Sequence, residues 1–258
     1  MTGPLSYIGG KNRLAKTIIP LIPEHQTYVE PFSGGAQVFF HKEPSKVEVL
    51  NDLDLELMNF FRICQNHYQE LVRYLEFMTV SRKWFDMLRK TPAETLTDVQ
   101  RAARFVYLQK LAYAGRVRAQ TYAGHVVQKP SYRAENLPDV IAATHARLNN
   151  VQLESLPYER ILEVYDRRET FFYLDPPYWG KPFYHFNFEA EDFRVLAERL
   201  RGVQGRFILS LNDVPEVRQI FSTFTIKPLE VSYSATKDGS RRHRELLIMN
   251  FTPGAEVI

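Results

Sequence analysis

The chain has 258 residues, a hydrophobic fraction of 45% and a charged fraction of 24%, values typical of a globular protein large enough for one α/β domain with an insertion. Cys64 is the only cysteine, which excludes a scaffold built on internal disulfides and suggests a small buried side chain. Because no apolar run approaches a membrane span and no signal peptide is recognisable, we expect a cytoplasmic protein.

The net charge of +3 is unevenly distributed along the chain. Between Arg82 and Arg147, twelve Lys and Arg residues stand against five Asp and Glu residues, which gives +7 locally and leaves −4 for the rest. A basic segment in an otherwise mildly acidic chain is typical of an insertion that binds a polyanion. A solvated helical face would give the same pattern.

Strand-like and helix-like patterns alternate, which predicts an α/β fold with a mostly parallel sheet. The loop between the last two strands is polar and too short for a crossover helix, so these strands should form an antiparallel hairpin. In chain order the predicted elements are helix Asn12–Ile19, strand Thr27–Phe32, helix Ala36–His41, strand Lys46–Asp52, helices Leu55–Phe77, Asp98–Ala112 and Asn136–Asn149, strand Thr170–Leu174, helix Glu189–Leu200, strand Arg206–Leu211, helix Pro215–Phe221, and strands Thr225–Tyr233 and Glu245–Phe251.

The helical, basic and aromatic stretch after the second strand interrupts this alternation. It contains an irregular piece with Gly124, Pro130 and Pro138. We therefore predict two parts, a catalytic domain made of residues 1–55 and 149–258, and an inserted, mainly helical domain of residues 56–148.

A glycine-containing turn follows the first predicted strand, in the sequence Tyr28–Gly35. Glycines at the carboxyl end of a strand allow the backbone to approach a ligand closely, at the edge where open α/β sheets bind cofactors. The dinucleotide fingerprint G-x-G-x-x-G is absent, which argues against a pyrophosphate-containing cofactor. A simple tight turn remains the alternative.

Asp52 ends the second predicted strand, 18 residues after Gly34. A carboxylate in this place suits the two hydroxyls of a ribose, as in nucleotide-binding α/β folds. A ligand with adenosine but no diphosphate fits both features, and S-adenosylmethionine is such a ligand. Alternatively, Asp52 caps the helix predicted to begin at Leu55.

The tetrad Asp175-Pro176-Pro177-Tyr178 follows an apolar strand. The two prolines make the backbone rigid and leave its carbonyl groups without neighbouring donors. A carboxylate beside a fixed carbonyl supplies two acceptors for the two N–H groups of a planar amine, and Tyr178 adds a face on which a base can stack. A proline-rich turn without function is the alternative.

Taken together, Tyr7–Lys11, Glu30–Gly35, Asn51–Asp52, Asp175–Tyr178 and Glu245–Ile248 resemble the motifs of the Dam-like adenine-specific DNA methyltransferases. The resemblance spans nearly the whole chain. It implies a Rossmann-like, S-adenosylmethionine-dependent sheet with a helical DNA-recognition insertion. It also implies direct methyl transfer to N6 of an adenine flipped out of double-stranded DNA.

The resemblance assigns roles to individual residues. Asp175 and the carbonyl of Pro176 accept hydrogen bonds from N6 of adenine, and Tyr178 stacks on the base. No metal site is expected. The residues implied to bind the cofactor are Tyr7, Lys11, Glu30, Phe32, Gly34, Asp52 and Asp175.

Two segments depart from the family pattern. Glu154–Tyr158 lacks the aspartate of the pair that usually contacts the cofactor adenine, and Tyr113–Pro138 differs most from members that modify GATC. The target sequence is therefore left open.

Basic residues in the insertion and in the terminal hairpin loop are the candidates for DNA contacts. Arg101, Arg104 and Lys110 are further candidates on a predicted helix, and Arg244 belongs to the hairpin cluster. A solvated turn is the alternative for the hairpin. The residues assigned to DNA are Arg116, Arg118, Lys129, Arg133, Lys237, Arg241 and Arg242.

Other functions remain open from the residues alone. An N4-cytosine methyltransferase more often has Ser at the first position of the tetrad, and enzymes acting on RNA or protein amides more often have Asn. A catalytically silent DNA-binding module would not need Lys11, Asp52 and Asp175 together. We expect a monomer, with a companion restriction endonuclease as a possible partner.

Overall fold

A computed structural model describes residues 3–5, 11–113, 120–124, 132–181, 185–232 and 242–254. Within these ranges no helix is both long enough and apolar enough to cross a membrane.

Seven strands form one sheet, in the order β3-β2-β1-β4-β5-β7-β6 when the strands are numbered along the chain. The first five are parallel, and the last two form the predicted antiparallel hairpin beside the fifth. The strands are β1 (Thr27–Glu30), β2 (Val47–Asn51), β3 (Gln152–Glu154), β4 (Thr170–Leu174), β5 (Arg206–Asn212), β6 (Thr225–Ser232) and β7 (Arg242–Met249).

Helices connect most of these strands. The helix predicted over Leu55–Phe77 is in fact two helices, because the backbone leaves the helical region at His67 (φ −139°, ψ 38°). The helices are α1 (Asn12–Ile18), α2 (Gln37–His41), α3 (Leu55–Asn66), α4 (Tyr68–Glu76), α5 (Arg82–Lys90), α6 (Asp98–Leu111), α7 (Leu137–Leu148), α8 (Tyr158–Tyr165), α9 (Ala190–Arg201) and α10 (Pro215–Ile220).

Three elements were not predicted from the sequence: β3, α5 and α8. The three residues of β3 are exposed or only partly buried, so no apolar run marks them. In α5 only Phe85 is buried, and the remaining residues are mostly charged. Few buried side chains therefore mark β3 and α5, whereas α8 buries Tyr158, Ile161 and Leu162 at helical spacing.

The two faces of the sheet pack against different sets of helices. On β4, Phe171 and Tyr173 belong to the cluster that contains α1, α2 and the helices α3–α7, whereas Phe172 and Leu174 face α8, α9 and α10. Strands buried on both faces explain the continuous apolar runs. The helices between β2 and β3 thus share one core with the sheet, and Cys64 is buried in it as expected.

The strand order reverses between β1 and β4, because β1 continues towards β2 and β3 while β4 continues towards β5. At such a point the connecting segments leave in opposite directions and open a crevice at the carboxyl ends of the strands. The glycine turn after β1 and the tetrad after β4 both lie at this crevice.

A buried charge cluster links α7, the last of the helices between β2 and β3, to the sheet. Arg147 of α7 binds Glu48 of β2 with both terminal nitrogens (2.5 and 2.8 Å) and donates to the carbonyl of Phe39 at 3.0 Å. Lys42 approaches the same carboxylate at 2.6 Å. Burial alone would raise the pKa of Glu48, but hydrogen bonds from Arg147 and Lys42 lower it.

We expect Arg147→Ala to reduce the free energy of unfolding by about 3–5 kcal/mol, since it leaves a buried carboxylate with one partner fewer. Arg199→Ala, which removes an exposed pair with Glu163, should cost at most about 1 kcal/mol. Urea unfolding of both variants measures the difference. Equal losses would contradict a structural role for the buried cluster.

Candidate active site

A cavity of about 290 Å³ occupies the crevice at the carboxyl ends of β1 to β4. Its walls come from the segments that follow each of these strands, and residues before α9 close one side. The residues that line it include Lys11, Glu30, Phe32, Ser33, Gly34, Asn51, Asp52, Leu156, Tyr158, Tyr173, Asp175, Pro177 and Phe188.

The turn after β1 has the backbone geometry that its glycines allow. Gly34 has a φ of 46°, and Ala36, which precedes α2, also lies in the left-handed region with a φ of 47°. The N–H of Gly34 donates to Asp52 Oδ2 at 2.9 Å, so the turn is tied to the end of β2. The turn also lines the cavity.

Glu30 lies at the base of this turn and is almost completely buried. Its Oε1 accepts hydrogen bonds from the hydroxyl of Tyr28 at 2.7 Å and from the N–H of Phe39 at 2.9 Å. Burial raises the pKa of Glu30 to about 8, although both hydrogen bonds oppose the shift. A pKa above 7 favours the neutral form of this carboxyl group at neutral pH.

Asp52 accepts backbone hydrogen bonds from Gly34 on Oδ2 and from Asp54 on Oδ1, the second at 3.0 Å. Burial raises its pKa to about 6, against the effect of these bonds. The side chain that caps α3 is Asp54, which accepts from the N–H groups of Glu56 and Leu57. Asp52 is thus not the helix cap, and it lines the cavity.

Asn51 connects the loops that follow three strands. Its amide nitrogen donates to the carbonyls of Pro31 (2.8 Å) and Leu156 (3.0 Å), and its amide oxygen accepts from the N–H of Leu156 at 2.8 Å. This buried side chain fixes the relative positions of the cavity walls. The sequence placed Asn51 in a motif but gave it no role.

Three aromatic rings form one wall of the cavity. Phe32 lies 5.2 Å from Tyr158 and 5.7 Å from Phe188, measured between ring centroids. The segment Glu154–Tyr158, which lacks the expected aspartate, thus contributes Leu156 and Tyr158 to the wall. Phe188 was missed by the sequence analysis, because it follows the tetrad in a stretch without a recognised motif.

Asp175 is the polar centre of the tetrad, with 21% of its side chain exposed. Its Oδ1 accepts hydrogen bonds from Lys11 Nζ and Ser210 Oγ, both at 2.9 Å. Burial raises the pKa of Asp175, while Lys11 and Ser210 oppose the rise and Glu245 adds to it. Two neighbours therefore hold one oxygen of a carboxylate at the cavity wall.

Lys11 brings its ammonium group to the tetrad. Besides Asp175, Nζ contacts the hydroxyl of Tyr178, lies 4.5 Å from the centroid of the Tyr178 ring, and lies 3.8 Å from Glu245 Oε2. Lys11 also lines the cavity. Its contact with a cofactor carboxylate, implied by the family resemblance, remains a prediction. Glu245 was noted only as part of a strand motif, and a lone acid at the start of an apolar run was the available signal.

The structure describes only some of the other predicted site residues. Pro176 is buried and Arg133 is exposed. Arg242 is described only through the backbone of β7. Six predicted residues lie outside the described ranges, namely Tyr7, Arg116, Arg118, Lys129, Lys237 and Arg241.

Three further basic candidates have internal partners. Arg101 binds Glu56 at 2.5 Å, Arg104 donates to the carbonyl of Leu88 at 2.7 Å, and Lys110 donates to the carbonyl of Pro4 at 3.1 Å.

Within the described part of the chain, no three His, Cys, Asp or Glu side chains form a group able to hold a metal ion.

Comparison with known proteins places the chain in a family. The sequence profile of the D12 class of N6 adenine-specific DNA methyltransferases matches residues 7–235. The chain is 25% identical over 236 residues to the type II methyltransferase M.CviBI of Paramecium bursaria Chlorella virus NC1A, covering 89% of this chain and 90% of that protein. It is 26% identical over 269 residues to M1.LlaDCHI of Lactococcus lactis subsp. cremoris, covering 95% and 94%.

The DNA adenine methylase of Escherichia coli strain K12 is also similar, at 25% identity over 268 residues, with 97% of this chain and 95% of that protein covered. The relatives thus match the chain along almost its full length, as the order of its motifs implied. The chain belongs to the D12 class of N6 adenine-specific DNA methyltransferases.

Proposed function

We propose that this adenine-specific DNA methyltransferase takes its methyl group from S-adenosylmethionine bound beside β1 and β2, and delivers it to an adenine presented at Asp175. The observation that carries the proposal is the placement of Asp52 and Asp175 along one cavity, at the point where the strand order reverses. One carboxylate is available to bind a ribose, and the other is available to bind an amine.

The polar groups of the cavity suit this cofactor. Ser33 Oγ is buried and has no hydrogen-bond partner among the described residues, so a ligand with polar groups would satisfy it. Asp52 would hold the ribose hydroxyls, and Glu30 would face the positively charged methionine part. The wall of Phe32, Tyr158 and Phe188 would pack against the adenine ring. When bound, S-adenosylmethionine supplies an activated methyl group on a sulfonium.

Asp175 is arranged to bind an amino group. The two partners described for its carboxylate both bind Oδ1, which leaves Oδ2 for an N–H of the substrate. The carbonyl of Pro176 would accept the second N–H, as the tetrad predicts. Two acceptors favour a tetrahedral nitrogen with its lone pair directed at the methyl group, and Tyr178 would stack on the base.

N6 would take the methyl group by direct in-line displacement, in which the N–C bond forms as the S–C bond breaks and the sulfur leaves as an uncharged thioether. The methylated nitrogen would then lose one proton to water. Positioning and fixed acceptors would supply most of the rate gain. Asp175 need not act as a strong base, since the methylated nitrogen is acidic until that proton leaves.

The adenine must leave the duplex to reach this cavity. We infer that the basic residues of the insertion and the hairpin loop bind the phosphates on either side of the flipped base, with a minority reading base edges. Arg133, which is exposed, is the described member of this group. Phosphate contacts predict an affinity for DNA that falls steeply as salt concentration rises.

Incubating the protein with methyl-labelled S-adenosylmethionine and unmethylated genomic DNA should place the label in N6-methyladenine. Nucleoside analysis identifies the product, and mapping of the modified positions gives the target sequence. DNA already methylated by the same protein serves as the control and should take up little further label. Label in N4-methylcytosine, or DNA binding without any label, would overturn the proposal.

A monomer suffices for this reaction, because every group assigned to the cofactor and the amine comes from one chain. A companion restriction endonuclease and a cytoplasmic location also remain part of the proposal, and the type II relatives support the first of these by name.

A further inference from the structure

Ser210 lies behind the tetrad, on the central strand β5, and is completely buried. Its Oγ is 2.9 Å from Asp175 Oδ1, 3.0 Å from the hydroxyl of Tyr173 and 3.4 Å from the carbonyl of Leu174. A hydroxyl group in the buried middle of β5, between Leu209 and Leu211, needs such partners. They all belong to the end of β4 or to the tetrad itself.

The direction of these hydrogen bonds follows from the number of protons. The Ser210 hydroxyl has one proton to donate, and a carboxylate at 2.9 Å is a better acceptor than a carbonyl at 3.4 Å. If Ser210 donates to Asp175, the bond with Tyr173 must run from the tyrosine hydroxyl to Ser210 Oγ. The result is a chain from Tyr173 through Ser210 to Asp175.

The strand that carries Ser210 is a rigid support for this chain of hydrogen bonds. β5 pairs with β4 on one side and with β7 on the other, where Ser210 stands opposite Leu247. Ser210 has a single side-chain torsion before its oxygen, whereas Lys11, the other partner of Asp175 Oδ1, has a long and flexible side chain. The serine is therefore the partner that can fix the orientation of the carboxylate.

We infer that Ser210, supported by Tyr173, is a positioning residue that turns Oδ1 of Asp175 towards the protein and Oδ2 towards the substrate amine. The inference rests on the proposed role of Asp175. According to this inference, a residue of the sheet orients the Asp175 carboxylate together with the tetrad loop.

Loss of this bond should also change the ionisation of Asp175. A donor to a carboxylate stabilises the charged form, so Ser210→Ala should raise the pKa of Asp175 further. If the ionised form accepts the amine, the acid limb of the rate profile then moves to higher pH. Among the residues that the structure describes, the ionisable groups facing Asp175 are Lys11, Glu30, Tyr173, Tyr178 and Glu245.

We expect Ser210→Ala to lower kcat about 10- to 100-fold, the range for losing one hydrogen bond to a charged group. The Kd for S-adenosylmethionine should stay unchanged, and the acid limb of kcat should move to higher pH. Tyr173→Phe keeps the ring and should show a smaller change in the same direction. Ser222→Ala removes an exposed serine after α10 and should behave as wild type.

Each outcome decides the matter. Wild-type activity in Ser210→Ala, with Asp175→Ala inactive, would overturn the positioning role and leave the role of Asp175 intact. A loss of kcat without movement of the acid limb would also overturn it, as would an unchanged Tyr173→Phe if the serine variant fails to fold. Full activity in Asp175→Ala would instead remove the proposed function of the tetrad.

Discussion

Replacing Asp175 with alanine should reduce methyl transfer by at least about 10²-fold, the effect expected when a fixed polar group is removed from the place where charge develops. The variant loses the acceptor for one N–H of the amine, and the nitrogen lone pair is no longer directed at the methyl group. S-adenosylmethionine should still bind, since Asp52, Glu30 and the glycine turn are unchanged. Single-turnover transfer and calorimetric binding of the cofactor separate these two effects.

Asp175→Asn gives a finer test of the same idea. It keeps one acceptor oxygen but adds an amide N–H group, which would meet either Lys11 or the substrate amine. Its activity should therefore be low, and closer to that of alanine than to wild type. Glu191→Ala, which removes a carboxylate exposed on α9, is the matched control and should remain active. An alanine variant at Asp175 with near-normal single-turnover rates would contradict the role assigned here.

Affinity for S-adenosylmethionine should rise with pH, by up to about tenfold per unit between pH 6 and 8, and should level off above the pKa of Glu30. Glu30 is protonated below about pH 8 in the free protein, and a positively charged ligand beside it favours the carboxylate. Binding would then release a proton. Asp52, with a pKa of about 6, adds a second rise at lower pH.

Calorimetric titrations in buffers of different ionisation enthalpy measure both the affinity and the proton release. Glu30→Gln should bind with little dependence on pH between 7 and 8, because the titrating group is gone. Asp54→Asn, which changes the helix cap beside the cavity, is the matched control and should keep the dependence. A wild-type affinity that is constant from pH 6 to 8 would contradict the proposed contact.

The same pKa has a consequence for stability. Glu30 is raised from its ordinary value of 4.5 to about 8, so between these values the folded protein holds a proton that the unfolded chain gives up. The free energy of unfolding of the cofactor-free protein should therefore fall as pH rises through this window. Glu30→Gln should remove this part of the pH dependence, which urea unfolding at pH 5 and pH 8 would show.

Much of the fold could be predicted because the apolar runs in the sequence are also the segments that are buried in the folded protein. Strands such as β4 are continuous apolar runs, which is the pattern expected of strands that are buried on both faces. The hairpin followed from loop length alone. β3 and α5 were missed for the converse reason, since few of their side chains are buried and neighbouring elements define them.

The candidate site could likewise be predicted only in part. From the sequence we could predict that Asp175, Asp52 and the glycine turn lie together, because each follows a strand and the carboxyl ends of parallel strands share one edge of a sheet. The hydrogen-bond partners of these groups could be identified only in the folded chain. Lys11 and Ser210 meet at Asp175 from positions 164 and 35 residues away, as their distances to Oδ1 show. Such contacts depend on strand order and register, and burial then sets the ionisation of Glu30 and Asp52, which residue type alone does not specify.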